Sequence, residues 1–357
     1  MAIYIYQLPH WPRFVWDVEK ISPLVAGIRS RQGRLLGRME ALGFQLKAEA
    51  SLETLTLDVL KSSEIEGEIL DAGQVRSSIA RKLGMDIAGL VPSDREVDGV
   101  VEMLLDATQH YQEVLSAERL FGWHSALFPA GRSGMRTEDP MQVVSGAMGK
   151  EKVHFEAPDA DRLEEEMRQF ISWFNEDKQM DAVIKAGIAH LWFVTIHPFD
   201  DGNGRIARAI ADLQLSRADE SAQRYYSMSA QIRKERKEYY EILERTQKGS
   251  MDITNWLSWF LNCLDRAIDS SSETLANVLK KASFWEKHTT TSLNPRQRLM
   301  LNKLLDGFEG KLNSSKWAKI TKTSSDTALR DIQDLMNKVI LVKEEGGGRS
   351  TSYGLIE

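Results

Sequence analysis

From residue 197 to residue 208 the chain reads His-Pro-Phe-Asp-Asp-Gly-Asn-Gly-Arg-Ile-Ala-Arg, a crowding of groups suited to phosphate chemistry. An imidazole with an ordinary pKa near ~6.5, here His197, is the side chain best able to take a proton from a hydroxyl near neutral pH. Asp201, beside a glycine loop, offers the hard oxygen ligand that Mg²⁺ prefers, with water and phosphate oxygens completing its shell. Gly202-Asn203-Gly204 allows tight or left-handed backbone before Arg205 to Arg217 takes up a helical pattern. Free amides at such a helix start carry the positive end of the helix dipole and receive an anion. Arg205 and Arg208 lie about one turn apart, so both can reach one polyphosphate. Asp200 is expected to face solvent.

These twelve residues match, at every defining position, the signature H-P-F-x-[D/E]-G-N-G-R-x-x-R, and the chain therefore resembles the Fic (filamentation induced by cAMP) family. The resemblance implies a protein adenylyltransferase that passes AMP from ATP to a Ser, Thr or Tyr hydroxyl of a target protein. It makes His197 the general base and Asp201 the Mg²⁺ ligand. Gly202, Asn203 and Gly204 would hold the α-phosphate, through amides and the Asn side chain, and Arg205 and Arg208 the outer phosphates. Upstream, Lys61 to Leu70 (KSSEIEGEIL) fits the pattern [S/T]-x-x-x-E-[G/N] and is similar to the inhibitory helix of one Fic subclass. Ser62, Glu66 and Gly67 would form that element, with Glu66 on Arg208 in place of the γ-phosphate. A carboxylate gripped by a guanidinium fork denies the fork to ATP until a conformational change frees it. Glu64 and Glu68 are expected to be solvated.

Several elements must position these groups. Asp181 to Ile196 is apolar on nearly every face, which predicts a buried helix that surfaces at His197, where Pro198 ends the regular ladder. Gly131 to Pro158 has no helical period and two short alternating runs, Gln142 to Val144 and Lys152 to Phe155, which predicts a β-hairpin. The resemblance makes this hairpin the flap, with Val143, Val144, Ser145 and Gly146 as its ATP-side edge and Met141 to Val144 as the edge that pairs with the target. An unpaired strand edge is a template for an extended segment. Gly149-Lys150 is followed by Glu151, so no Walker loop is present. Asp159 to Asn175 is an amphipathic helix. In Ser227 to Lys248 the resemblance offers Tyr239 and Tyr240 as nucleotide-base contacts, with core packing as an equal alternative, and Gln247 where many relatives carry Asn. His124 is expected to be structural.

Met1 to Arg13 alternates like a short strand, and Val18 to Leu46 reads as one helix. Val91 to Asp94 breaks the chain before two further helices, Arg95 to Gln112 and Ala117 to Phe128, with Ser93 or Asp94 as N-cap. At 357 residues two or three domains are expected. The division is an N-terminal extension over 1–92, a catalytic core over 93–268, a connector over 269–284 and a winged helix-turn-helix over 285–357. The fold class is mainly α: a Fic-type helical core with a β-hairpin flap, a helical N-terminal extension and the winged helix. One cysteine, Cys263, excludes an internal disulfide. No basic-then-apolar leader opens the chain and no apolar run approaches the ~18 residues that span a bilayer, so a cytoplasmic protein without membrane partners is expected.

The net charge of −6 argues against a nucleic-acid coat. Residues 285–357, however, carry twelve Lys and Arg against nine Asp and Glu, a change of sign that marks a separate module. Its helices are expected at Pro295 to Leu305, Lys316 to Ile320 and Ser325 to Asn337, and its strands at Val339 to Lys343 and Thr351 to Leu355. With Asp326, Asp331 and Asp334 exposed beside Arg330, the last helix makes a poor face for a phosphate backbone, so a protein-contact or regulatory role is favoured over DNA binding. Self-modification and a homodimer stay open. Two alternatives remain. One is removal of AMP, with Glu66 aligning a water, or transfer of another nucleotide or phosphate-containing group. The other is a transcriptional regulator with a vestigial Fic core.

Overall fold

The computed structural model describes residues 3–85, 87, 89–131, 134–145, 152–176, 179–305, 308, 310–344 and 351–356. Those residues are mainly helical. In chain order come α1 (Val18–Glu40), α2 (Phe44–Ile65), α3 (Ala72–Lys82), α4 (Arg95–Gln109), α5 (Ala117–Leu127), the strands β1 (Gln142–Ser145) and β2 (Lys152–Glu156), and α6 (Leu163–Glu176). They are followed by α7 (Ala182–Ile196), α8 (Asn203–Asp219), α9 (Met228–Lys234), α10 (Arg236–Gln247), α11 (Thr254–Lys287), α12 (Pro295–Leu305), α13 (Ser314–Thr321), α14 (Ser325–Asn337), β3 (Leu341–Lys343) and β4 (Tyr353–Leu355). No helix among the described residues is long and apolar enough to cross a membrane. The chain divides into two compact units, residues 1–83 with 92–274 and residues 84–91 with 275–357. The segment expected as a separate extension thus folds, as far as Leu83, in the same unit as the core. The connector expected over 269–284 is helical, being part of α11, and the division between the two units falls within it.

In the first unit α7 is the central helix, buried on every side and packed most extensively on α8. Asp181 caps it by accepting from the amide of Val183 at 2.8 Å. Trp256 of α11 donates its indole N–H to the Gly187 carbonyl at 2.8 Å and so satisfies a polar atom inside the core. Asp94, not Ser93, caps α4, accepting from Val97 at 2.9 Å. The single helix expected over Val18 to Leu46 is two, parted at Ala41 to Gly43.

Among the described residues, the strand expected over residues 1–13 is absent. Ile5–Gln7 is a turn of 3-10 helix, and Tyr4, Ile5 and Tyr6 are all buried, so the inward and outward alternation of a strand is not realised. The rings of Tyr4 and Tyr6 lie edge-on to Phe155 of β2, with centroids 5.1 and 6.1 Å away. Tyrosines at the chain start therefore support the flap from beneath. The same segment clamps the end of the unit: Val15 donates to Met251 O and accepts from Ile253 N, both at 2.9 Å.

The second unit has its own core around Met300, Trp317, Ile332, Leu335 and Leu341. Three helices are followed by the antiparallel pair β3 and β4, in the register Leu341 opposite Leu355. β3 starts two residues later than expected, because Val339 takes a left-handed turn at φ 56°. Asp331, expected on the exposed face of α14, is only 6% exposed. Its carboxylate takes a fork from Arg296 at 2.7 and 2.9 Å and a bond from Asn294 at 2.8 Å. The acidity attributed to that face therefore falls: Asp331 is neutralised inside, and Asp334 accepts from Gln297 at 2.7 Å and pairs with Lys338 at 2.5 Å.

Gly99 sits where α4 crosses α5, and a Cβ there would collide with the Ala126 carbonyl. Gly99→Ala should destabilise the protein by about 3 kcal/mol through overpacking. Chemical denaturation checks this, and a change below about 0.5 kcal/mol would show that the crossing yields freely.

Candidate functional site

The site is built where α7 stops and α8 starts. α7 ends because His197 turns left-handed, at φ 52°, with its amide still bonded to Phe193 O. For a non-glycine residue this conformation costs of order 1–3 kcal/mol and persists only where the surroundings enforce it. Three groups do so. Arg136, 2% exposed, donates Nε to the His197 carbonyl at 3.0 Å, while its amide donates to Pro198 O at 2.9 Å. Asn203 accepts from the Phe199 amide at 3.0 Å and donates to the Phe199 carbonyl at 2.7 Å. His124 stacks on Phe199 with centroids 4.4 Å apart and so is structural, as expected. Gly202 then takes φ 80°, its amide donating to Asp201 Oδ1 at 2.6 Å, and α8 begins at Asn203, two residues before the expected start.

The His197 ring is half-buried, with Nδ1 3.4 Å from Val194 O. Burial pushes its pKa down to about 4, and the Arg136 guanidinium acts the same way against the carboxylates of Glu66 and Asp201. It is therefore neutral at physiological pH, as a proton acceptor must be. Asp200 and Asp201 are exposed.

Arg205 and Arg208 of α8 are buried, and each meets a carboxylate from the turn that ends α2. Arg208 pairs with Glu66 Oε1 at 2.7 Å and donates to Ser62 Oγ and Ser62 O, both at 2.9 Å. Glu66 is the C-cap of α2, and Gly67 at φ 91° turns the chain away. Glu66 Oε1 lies so close over Gly204 that a Cβ there would strike it. The carboxylate thus occupies the first turn of α8, where a helix N-terminus attracts anions. Glu68, expected in solvent, is ion-paired with Arg205. Glu64 is also paired, with Lys61 at 2.5 Å and Arg233 at 3.0 Å. Arg208 Nη1 and Arg205 Nε are buried donors without a partner among the described residues, and phosphate oxygens suit both.

The residues proposed for the base end separate. Tyr240 is 36% exposed, its hydroxyl 3.5 Å from Glu66 Oε2. Tyr239 is only 2% exposed and bonds His190 Nε2 at 2.9 Å, so it is core and presents no face for stacking. Gln247 is buried against Thr195 Oγ1 at 3.3 Å, where it braces the end of α7. Val143, Val144 and Ser145 lie on β1, while Gly146 falls outside the described residues. The pair β1 and β2 carries a bulge between Val143 and Val144.

Residues 4–85 match a family described as a domain of unknown function (DUF4172), and residues 114–215 match the Fic/DOC family. The chain carries a Fic domain. The protein adenylyltransferase Fic of Culex quinquefasciatus is 28% identical over 241 residues, covering 66% of this chain and 45% of that protein. The protein adenylyltransferase fic-1 of Caenorhabditis elegans is 30% identical over 211 residues, or 56% and 40% of the two chains. The chain spans less than half the length of these curated relatives. The fold is shared with a Fic family protein from Desulfovibrio desulfuricans G20 (TM-score 0.56, 20% identity, 97% of this chain and 98% of that one). It is also shared with C. elegans Fic-1 (TM-score 0.51, 22% identity, 72% and 74%).

The signature could not reveal Arg136 or Glu68. Arg136 lies 61 residues before the backbone it holds, and Glu68 has the pattern of any charge after a glycine. Arg136→Lys keeps the charge but loses the planar fork, and should cost the Fic domain about 2–3 kcal/mol. Equilibrium unfolding by urea measures this, and a loss under about 0.5 kcal/mol would mean that Arg136 does not hold the loop.

Proposed function

We propose that the chain is an Mg²⁺-dependent protein adenylyltransferase that its own α2 restrains. The observation carrying this reading is the Glu66 carboxylate on Arg208 at the start of α8, where the outer phosphates of ATP would otherwise sit. The identity with proteins named adenylyltransferases supports the class of reaction.

In the released state, the amides of Asn203 and Gly204 and the orphan donors of Arg205 and Arg208 receive the phosphates of ATP, while the Gly202 amide is held by Asp201. Asn203 keeps that turn in shape through its two bonds to Phe199. His197, neutral and fixed in orientation by its left-handed backbone, takes the proton of a target Ser, Thr or Tyr hydroxyl as its oxygen attacks the α-phosphorus. Mg²⁺, held by the exposed Asp201 with phosphate oxygens and water, would neutralise the charge on the pyrophosphate leaving group. The outer edge of β1, with Val144 48% exposed, supplies a template on which an extended target segment pairs. A regulatory or protein-contact role remains our reading of residues 285–357. Neutralisation of Asp331 makes a gel shift a worthwhile check of DNA binding.

His197→Ala should abolish transfer to a target protein while leaving the thermal midpoint unchanged. Glu66→Gly should raise labelling by alkynyl ATP, and Glu66→Gly with Glu68→Gln should raise it further, because Glu68 still engages Arg205 in the single variant. Equal labelling of the single and double variants would exclude Glu68 from the restraint. The pH dependence follows from the lowered pKa of His197. The base is protonated only as the medium approaches pH 4, so labelling by Glu66→Gly should stay level from about pH 8 to about pH 5. Removing the Glu66 charge lowers that pKa further, so it cannot restore a midpoint near ~6.5. A loss of half the rate near that value would identify a different base.

A further inference from the structure

The flap holds a second arrangement of reactive groups that the signature does not contain. Ser145 Oγ on β1 is 2.6 Å from His154 Nε2 on β2, and His154 Nδ1 is 2.6 Å from Glu244 Oε2 on α10. The two strands of the hairpin and the distant helix α10 thus deliver a hydroxyl, a base and an orienting carboxylate in series, each within hydrogen-bond reach. This is the arrangement that activates a nucleophile. The polarity is consistent throughout: a carboxylate at Glu244 accepts from Nδ1–H, which leaves the Nε2 lone pair facing the Ser145 hydroxyl. Partial burial works to raise the Glu244 pKa, but hydrogen bonds from Lys248 and His154 outweigh it and push the value down to about 2. Glu244 therefore stays charged and accepts only. Ser145 is exposed. Glu244 lies on α10 one helical turn after Tyr240, whose hydroxyl approaches Glu66 at 3.5 Å.

We propose that Ser145 is an activated nucleophile and the acceptor on which this chain modifies itself, with His154 as its local base and Glu244 as the positioning residue. Nothing in the catalytic sequence built on His197 uses these three side chains. The choice of electrophile rests on the adenylyltransferase reading. Ser145 Oγ forms a bond to the α-phosphorus of ATP, the bond from that phosphorus to the oxygen bridging to the β-phosphate breaks, and pyrophosphate leaves. The hydroxyl proton passes to His154 Nε2, and the resulting imidazolium is held by Glu244.

Two measurements on the full chain separate this proposal from the reading beneath it. The first treats the wild-type protein with an alkyl fluorophosphonate and maps the adduct by peptide mass spectrometry. Phosphonylation at Ser145 is expected, absent in Ser145→Ala and slowed roughly a hundredfold in His154→Gln. Glu244→Gln should slow it too and Glu244→Asp should restore part of the rate, which a purely structural contact would not do. No adduct at Ser145 overturns the nucleophile, whatever the protein does with ATP. The second incubates Glu66→Gly with ATP and Mg²⁺ and maps AMP. Label at Ser145, lost in the Glu66→Gly, Ser145→Ala double variant, supports the proposal, whereas label confined to other residues overturns Ser145 as the acceptor and leaves the adenylyltransferase intact. No label anywhere, with Ser145 reactive to the fluorophosphonate, overturns the adenylyltransferase and self-acceptor readings together and keeps only the nucleophile.

Discussion

The constraint on which this molecule depends is the left-handed exit of α7 at His197. A helix buried on all sides delivers an imidazole to the surface only if the chain leaves it sharply, and an ordinary side chain resists that geometry. Arg136 on the His197 carbonyl and Asn203 on both polar atoms of Phe199 enforce the turn. Once it is held, everything else is placed. The next residues to carry free amides are the first of α8, and Arg205 and Arg208 follow on its buried face. Burial that would otherwise serve stability alone also lowers the pKa of His197, so the fold sets both the position and the protonation state of the proposed base.

The same cradle explains why a short turn at the end of α2 acts from so far away in sequence. Buried guanidinium groups without anions would be costly, and Glu66 and Glu68 supply the anions from one turn of chain. Under the proposed function, a nucleotide would have to displace two carboxylates that already meet the needs of the site. Under the proposed autoinhibition, such a contact would stabilise the resting protein and oppose activity through one interaction. Ser62 contributes on the same side of the balance, since its hydroxyl and carbonyl both accept from Arg208.

The N-terminal segment has a physical role that its pattern did not announce. Tyr4 and Tyr6 lie against Phe155, and Trp11 donates to Glu166 of α6 at 2.8 Å. The flap therefore rests on residues from the beginning of the chain. On its other side His154 ties β2 to Glu244 of α10. A two-stranded hairpin is marginal by itself, and these supports from two distant segments give it a fixed place.

Contiguous chemistry was open to reading along the chain. The signature from His197 to Arg208, the apolar run of α7, the hairpin strands, and the spacing of Ser62 and Glu66 are all local patterns, set by side-chain period and backbone freedom over a few residues. Tertiary structure decided whatever depends on which face meets which neighbour. It placed Tyr239 and Gln247 in the core and left Tyr240 exposed beside Glu66; it turned an expected strand into a 3-10 turn beneath the flap; it buried Asp331 against Arg296; and it joined Glu68 to Arg205 across 137 residues. A side chain's sequence neighbours do not specify whether its polar atoms will face water or a partner folded in from elsewhere. Burial and pairing are properties of the assembled core, and so the signature could name the reactive groups while only the fold determined what restrains, orients and protonates them.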